Sequence, residues 1–208
     1  MPQPVTLQNQ FVRLEPLLPA HIPALLRIAQ TSPRDVYALT TVPDTLVGMT
    51  AYVDAALEMA RQGLAAPFAT IDTVSGQVVG SSRLANLEFW AWAVGHPLAK
   101  SDGTPDAAEI GWTWLAPAAQ RSPINTAAKL LMLTHAFETW CVRRVTLKTD
   151  ARNERSRNAI LRIGASFEGV LRLHVPASDG GVRDSAMYSI LETEWSGVKA
   201  RLEGMLAS

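Results

Sequence analysis

"EIGWTWLAPAAQRSPINTAAKLLMLTHAFE", residues 109–138, decides the fold of this chain. The first third reads as a strand that stops at Pro117. The remainder places Leu130, Leu133, Phe137 and, just beyond it, Trp140 at helical spacing, with Asn125 or Thr126 as the expected N-cap. A strand feeding a helix leaves the first helical N–H groups without carbonyl partners, and the helix dipole adds partial positive charge there. The junction is therefore a candidate anion site. Ser122, Asn125 and Thr126 can donate from their side chains and Arg121 brings a full charge, although no glycine lies in the loop. Many such junctions are merely connections, so spacing alone leaves both readings open.

Working outward, "FVRLEPL" alternates as a first strand ending at Pro16, and "LPAHIPALLRIAQ" spaces Ile22, Leu25, Leu26 and Ile28 as a helix does. The segment 31–48 holds Pro33 and Pro43 and reads as a loop able to cover a pocket, before a second helix near Thr50 to Arg61. "PFATIDTVSGQVVGSSRL" is a hairpin turning at Ser75-Gly76, and residues 85–108 have no clean period and read as irregular. Downstream, "VRRVTLKT" alternates again, and "NERSRNAILRIG" is a short helix with Asn153 near its start and Gly164 as its stop. "FEGVLRLHV" and "VRDSAMYSIL" flank a tip containing Gly180 and Gly181, and "ETEWSGVKARLEGML" predicts a terminal helix. No repeat, low-complexity tract or dividing linker interrupts the 208 residues, which predict a single domain over 1–208.

Composition narrows the function classes. Apolar residues make up 48%, and 19 Lys+Arg balance 19 Asp+Glu, so bulk charge points to neither nucleic acid nor a membrane surface. The single cysteine, Cys141, cannot pair internally and, between Trp140 and Val142, reads as a small buried hydrophobe, which favours a reducing cytoplasm. "MPQPVTLQNQ" has no basic segment followed by an apolar one, and no uncharged stretch reaches membrane-spanning length. His21, His96, His135 and His174 lack metal-ligand spacing, so no metal is expected. The arginines from Arg143 to Arg172 alternate with Asp150, Glu154 and Glu168 without aromatic platforms, which reads as a solvated face.

From residues 109–138 through "RVTLKTDARNERSRNAILRIGASFEGVLR" to "DGGVRDSAMYSIL", the chain resembles the GCN5-related N-acetyltransferases, in particular the branch of ribosomal-protein N-terminal (Rim-type) acetyltransferases. The resemblance implies an α+β fold: a mixed, mostly antiparallel sheet with a splayed wedge between strands 4 and 5, flanked by helices. It implies acetyl-CoA as acetyl donor, no metal, and direct transfer to a primary amine, foremost a protein N-terminal amine. Gln120 matches the first position of the family's phosphate loop, while Pro123 and Asn125 stand where small residues are usual. Arg121, Ser122, Pro123, Ile124, Asn125 and Thr126 are the carried-over phosphate contacts, with Arg157 or Arg152 adding charge.

The same likeness implies that Asn153 and Ser156 face the pantetheine arm and sulfur, with Ser156 a proton donor; Asn is equally an ordinary cap there. Gly111 would free the backbone for a bulge, and Trp114, Leu115 and Ala116 would pair with the pantetheine amides. Of Trp112 and Trp114, one should fall on the core face. No enzyme nucleophile is required. Glu109 is the candidate general base, acting through water, and it reads equally as a solvated carboxylate at a strand end. A backbone N–H of Trp114 or Leu115 would meet the oxyanion, and Tyr188 is a reserve acid.

Rival expectations are a small-molecule amine acetyltransferase (antibiotic, amino acid or polyamine), a non-catalytic CoA-binding module, and an RNA-associated protein that would bind with steep salt dependence. A homodimer remains open.

Overall fold

The computed structural model describes residues 3–207. Strands β1 (Leu7–Gln8), β2 (Val12–Pro16), β3 (Ala65–Asp72), β4 (Val78–Glu88), β5 (Ala107–Leu115), β6 (Arg144–Asp150), β7 (Ser166–Pro176) and β8 (Val182–Leu191) form one sheet in the order β1-β2-β3-β4-β5-β6-β8-β7. Every neighbouring pair is antiparallel except β5 and β6. Helices α1 (Ile22–Thr31) and α2 (Leu46–Arg61) cover one face; α3 (Pro123–Thr134), α4 (Glu154–Arg162) and α5 (Trp195–Ala207) cover the other. This is the expected α+β architecture. The strand numbers shift by one because the two-residue β1 carries no pattern a reader of the sequence could detect, so the predicted wedge between strands 4 and 5 falls between β5 and β6.

The two faces bury separate apolar sets. Leu14, Phe68 and Leu84 of the sheet share one cluster with Ala127, Met132 and Leu133 of α3, while Trp114 shares the other with Leu25 of α1 and Met49 and Val53 of α2. Fully burying each large side chain contributes about 1.5–3 kcal/mol. Trp114 is the core aromatic of the two tryptophans, meeting Tyr37 edge-on at 5.8 Å, and Trp112 stays partly exposed.

Several local expectations change. The cap of α3 is Ser122, whose side chain accepts from the Ile124 N–H, with Pro123 at the first helical position. Proline has no N–H to lose and a fixed φ suited to that place, so it sets the start earlier than Asn125 or Thr126. Helix α2 likewise starts earlier, at Leu46, capped by Thr45. Cys141 is exposed rather than buried, in a left-handed turn (φ 51°) that follows a π-turn over His135–Thr139. Of the segment 85–108 expected to be irregular, residues 85–88 end β4 and 107–108 begin β5, while 89–106 is ordered by polar anchors: buried Asp106 accepts from the Trp90 N–H and the Trp92 indole, and Lys100 Nζ donates to the carbonyls of Pro105, Trp140 and Cys141.

Candidate active site

Strands β5 and β6 pair only through Ala107–Arg144, Ala108–Val145 and Glu109–Thr146, and beyond those rungs they diverge. A bulge in β5 lies just past the parting. Ser81 stands opposite Trp114 and Arg83 opposite Gly111, so two residues of β5, Trp112 and Thr113, oppose Ser82 alone. Such an insertion bends its strand. Trp112 takes the left-handed conformation (φ 49°), whereas Gly111 serves a different need: a Cβ there would sit 2.9 Å from Glu109 Oε1. Gly111 thus makes room for a carboxylate instead of relaxing the backbone. Arg83, buried on β4, stacks on the rings of Tyr52 and Trp112 with its centre 4.5 and 5.0 Å from their centroids.

A cavity of about 810 Å³ occupies the parting. Glu109, Trp114, Leu115, Gln120, Arg121, Ser122, Asn125, Asn153 and Ser156, all singled out from the sequence, line it. Glu109 Oε2 accepts from Lys148 Nζ at 2.8 Å and from Asn86 Nδ2 at 2.9 Å. Asn153 caps α4, its Oδ1 accepting from the Ser156 N–H at 3.0 Å, which leaves its amide NH₂ without a partner among the described residues. The cap reading and the binding reading therefore use different atoms of one side chain.

Other expected residues lie elsewhere. Arg157 donates to Tyr188 Oη and to the Ala151 carbonyl, away from the cavity, and Tyr188 itself is fully buried. Arg152 pairs with Asp150 and Asp179. Ile124 and Thr126 are buried, the Thr126 hydroxyl accepting from Arg162. The Ala116 N–H donates to the Val79 carbonyl, and the Leu115 carbonyl accepts from Tyr37 Oη and Gln120 Nε2 at 3.0 Å each, so neither is free for an added strand. Pro123 offers no N–H and that of Ile124 is spent on the cap. Among the described residues, the N–H groups of Arg121 and Ser122 donate to no protein acceptor.

The residues missed are mostly cationic. Arg155 donates to Gln120 Oε1 and the Val36 carbonyl, Arg162 to Thr126, and Arg183 to Ser185; none of the three forms an ion pair among the described residues. Lys129 also lines the cavity, and burial pushes its amine down to about 7. The helical period of α4 could have found two of these, since Arg155, Asn158, Ala159 and Arg162 share one stripe. The segment 32–45 closes over the cavity, held by Ser178 Oγ donating to the Ala38 carbonyl at 2.7 Å and by Arg155 on Val36. No cluster of His, Cys, Asp and Glu able to hold a metal occurs among the described residues, and none of their helices is long and apolar enough to cross a membrane.

The model of the acetyltransferase (GNAT) domain family matches residues 12–166. The chain is 39% identical over 94 residues to the Bacillus subtilis (strain 168) protein described as "Putative ribosomal N-acetyltransferase YdaF", an alignment covering 44% of this chain and 49% of that one. The chain thus spans about half the length of the curated relative it matches. Among solved structures, a "putative acetyltransferase" from T. thermophilus superposes with a TM-score of 0.78 at 34% identity, covering 99% of each chain. A "GCN5-related N-acetyltransferase from Brucella melitensis" superposes with a TM-score of 0.81 at 27% identity, over 98% of this chain and 86% of that one. The fold, the parted strands and the matched family model lead to one statement: the chain belongs to the acetyltransferase (GNAT) domain family.

Proposed function

We propose that the protein transfers the acetyl group of acetyl-CoA directly to a protein N-terminal amine. The observation that carries this is the parting of β5 from β6, with a cavity lined from both strands and from the starts of α3 and α4. The donor set suits a polyanionic carrier. Two unengaged N–H groups at Arg121 and Ser122, the positive end of α3, and guanidinium groups at Arg155 and Arg162 all belong to the cavity wall. The Asn153 amide would hold the pantetheine arm.

Among the described residues, Glu109 is the only acidic one in the cavity wall, and its Oε1 is free toward Gly111. It takes the proton of the acceptor amine, directly or through a water. A protein α-amino group titrates near 7.7–8.0 and needs little help, whereas a lysine side chain near 10.4 needs much. A backbone N–H of Trp114 or Leu115 meets the oxyanion, and the Ser156 hydroxyl donates a hydrogen bond toward the sulfur. The description of the B. subtilis relative as a ribosomal N-acetyltransferase supports a protein acceptor. The unpaired, exposed Cys141 suits a cytoplasmic setting.

Thiol release from acetyl-CoA, followed across peptides with free and blocked N-termini, lysine side chains, amino acids and polyamines, tests the reading. Turnover confined to small amines moves the acceptor class. Tight CoA binding without thiol release on any amine favours the binding module instead.

A further inference from the structure

Lys129 lies two turns into α3 with its amine buried in the cavity wall. Its Nζ donates to Thr113 Oγ1 at 2.6 Å and to Ser82 Oγ at 3.4 Å, and those hydroxyls are 2.7 Å apart. No carboxylate among the described residues pairs with it. The charged groups on the elements packed around α3 are engaged elsewhere: Arg162 of α4 on Thr126, Glu138 with Lys199 of α5, and Arg13 with Glu15 on β2. Arg83 of β4 is stacked on Tyr52 and Trp112, and Glu109 of β5 is held by Lys148. A methionine would fill the same space without the desolvation cost of an amine, so stability alone does not account for the lysine.

Along β5, Ala108 and Ile110 pack under α3, so Glu109 and Gly111 between them face the α2 side. Thr113, through its bond to Lys129, faces α3, and Trp114 returns to the α2 side. The carboxylate and the amine therefore stand on opposite faces of the same bulged strand, and both line the cavity that passes between β5 and β6.

We propose that Lys129, aimed by the Thr113 hydroxyl, is the proton donor to the thiolate that departs in acetyl transfer at this site. The inference rests on the acetyltransferase reading above. The acceptor nitrogen forms the C–N bond with its lone pair, and the carbonyl C–S bond breaks with its pair left on sulfur. Sulfur takes a proton from Lys129 Nζ; the protons shed by the nitrogen pass to Glu109 and water, and Lys129 regains its own from water. Burial pushes the amine down to about 7, and a thiol of the cysteine kind titrates near 8.5, so the transfer runs downhill. The Ser156 hydroxyl can offer the sulfur a hydrogen bond but no comparably acidic proton.

Lys129→Met and Lys129→Arg test this. Both are expected to bind CoA within about threefold of wild type by calorimetry while losing about 100-fold in kcat near pH 7. Arginine keeps the charge but does not release a proton in this range. Wild-type kcat should fall above about pH 7 as Lys129 loses its proton, and that alkaline limb should vanish in both variants. Heteronuclear NMR of the unliganded wild type should show the Lys129 amine titrating near 7, and should the methionine variant fail to fold, the arginine variant and this titration decide. A Lys129→Arg enzyme with wild-type kcat and alkaline limb overturns the proposal, as does an amine that stays protonated above about pH 9. A wild type that releases no thiol with any amine is a separate failure, that of the acetyltransferase reading itself.

Discussion

Glu109 and Lys148 meet at 2.8 Å across the point where β5 and β6 part, Glu109 on the last shared rung and Lys148 two residues beyond its partner Thr146. Both side chains are largely buried, so the pair spans the opening of the wedge as well as fixing the carboxylate. Glu109→Gln removes the negative charge and keeps the shape. It should lower kcat/KM by roughly 100-fold near pH 7 and by less at higher pH, where the acceptor amine is already neutral. A rate equal to wild type at every pH would remove Glu109 from the chemistry.

Asn153 can be separated into its two duties. Asn153→Asp keeps the oxygen that caps α4 and loses the NH₂, so melting temperature should hold while CoA affinity falls. Asn153→Ala should lose both, with about 1 kcal/mol of stability from the cap. Calorimetry with CoA beside thermal melting distinguishes the two outcomes; unchanged affinity in both variants would sink the binding role.

Arg155→Ala and Arg162→Ala should each weaken CoA binding by roughly 10- to 100-fold, the range for a hydrogen bond to a charged group, with the loss shrinking as salt rises. Arg157→Ala should leave affinity unchanged, because its guanidinium serves Tyr188 and Ala151. Equal losses for all three would contradict the placement of α4.

Lys129 also makes stability depend on pH. Its folded value, about 7, lies below the ordinary 10.5 of the free side chain. Between those values the unfolded chain binds a proton that the folded protein does not, so stability rises as pH increases through that window. Below about 7 both states are protonated and the penalty is fully present; above about 10.5 it is gone. The penalty amounts to a few kcal/mol, at about 1.4 kcal/mol for each pKa unit. Lys129→Met should therefore melt above wild type at pH 7, with the gap closing toward pH 10. A constant gap in denaturant unfolding would refute the depressed value.

Much of this was legible in the sequence because period reports burial. The alternation in "RVTLKT" and the helical spacing after Ser122 were enough for the strand and the helix, and Asn153 stood where a cap belongs. What escaped depended on contacts between distant segments. Lys129, one polar residue in an apolar run, has a buried role only through Thr113 and Ser82, which are distant from it in sequence. The left-handed residue of the bulge was expected at a glycine, yet Trp112 occupies it, held by the Arg83 guanidinium and by a bond from Tyr52 Oη to its carbonyl at 3.4 Å. Arg157, expected to add charge beside the phosphates, lies one helical step of about 100° from the cavity-lining Ser156 and turns to Tyr188 and Ala151 instead.

Trp112 has a peculiar standing in its strand. Because it and Thr113 together face Ser82, every other side chain of β5 would keep its assigned side if Trp112 were simply skipped. It is a supernumerary residue, free of the odd-and-even alternation that binds its neighbours. A chain one residue shorter there would still fold its sheet in frame, yet it would straighten the very bend on which the opening beside β6 depends.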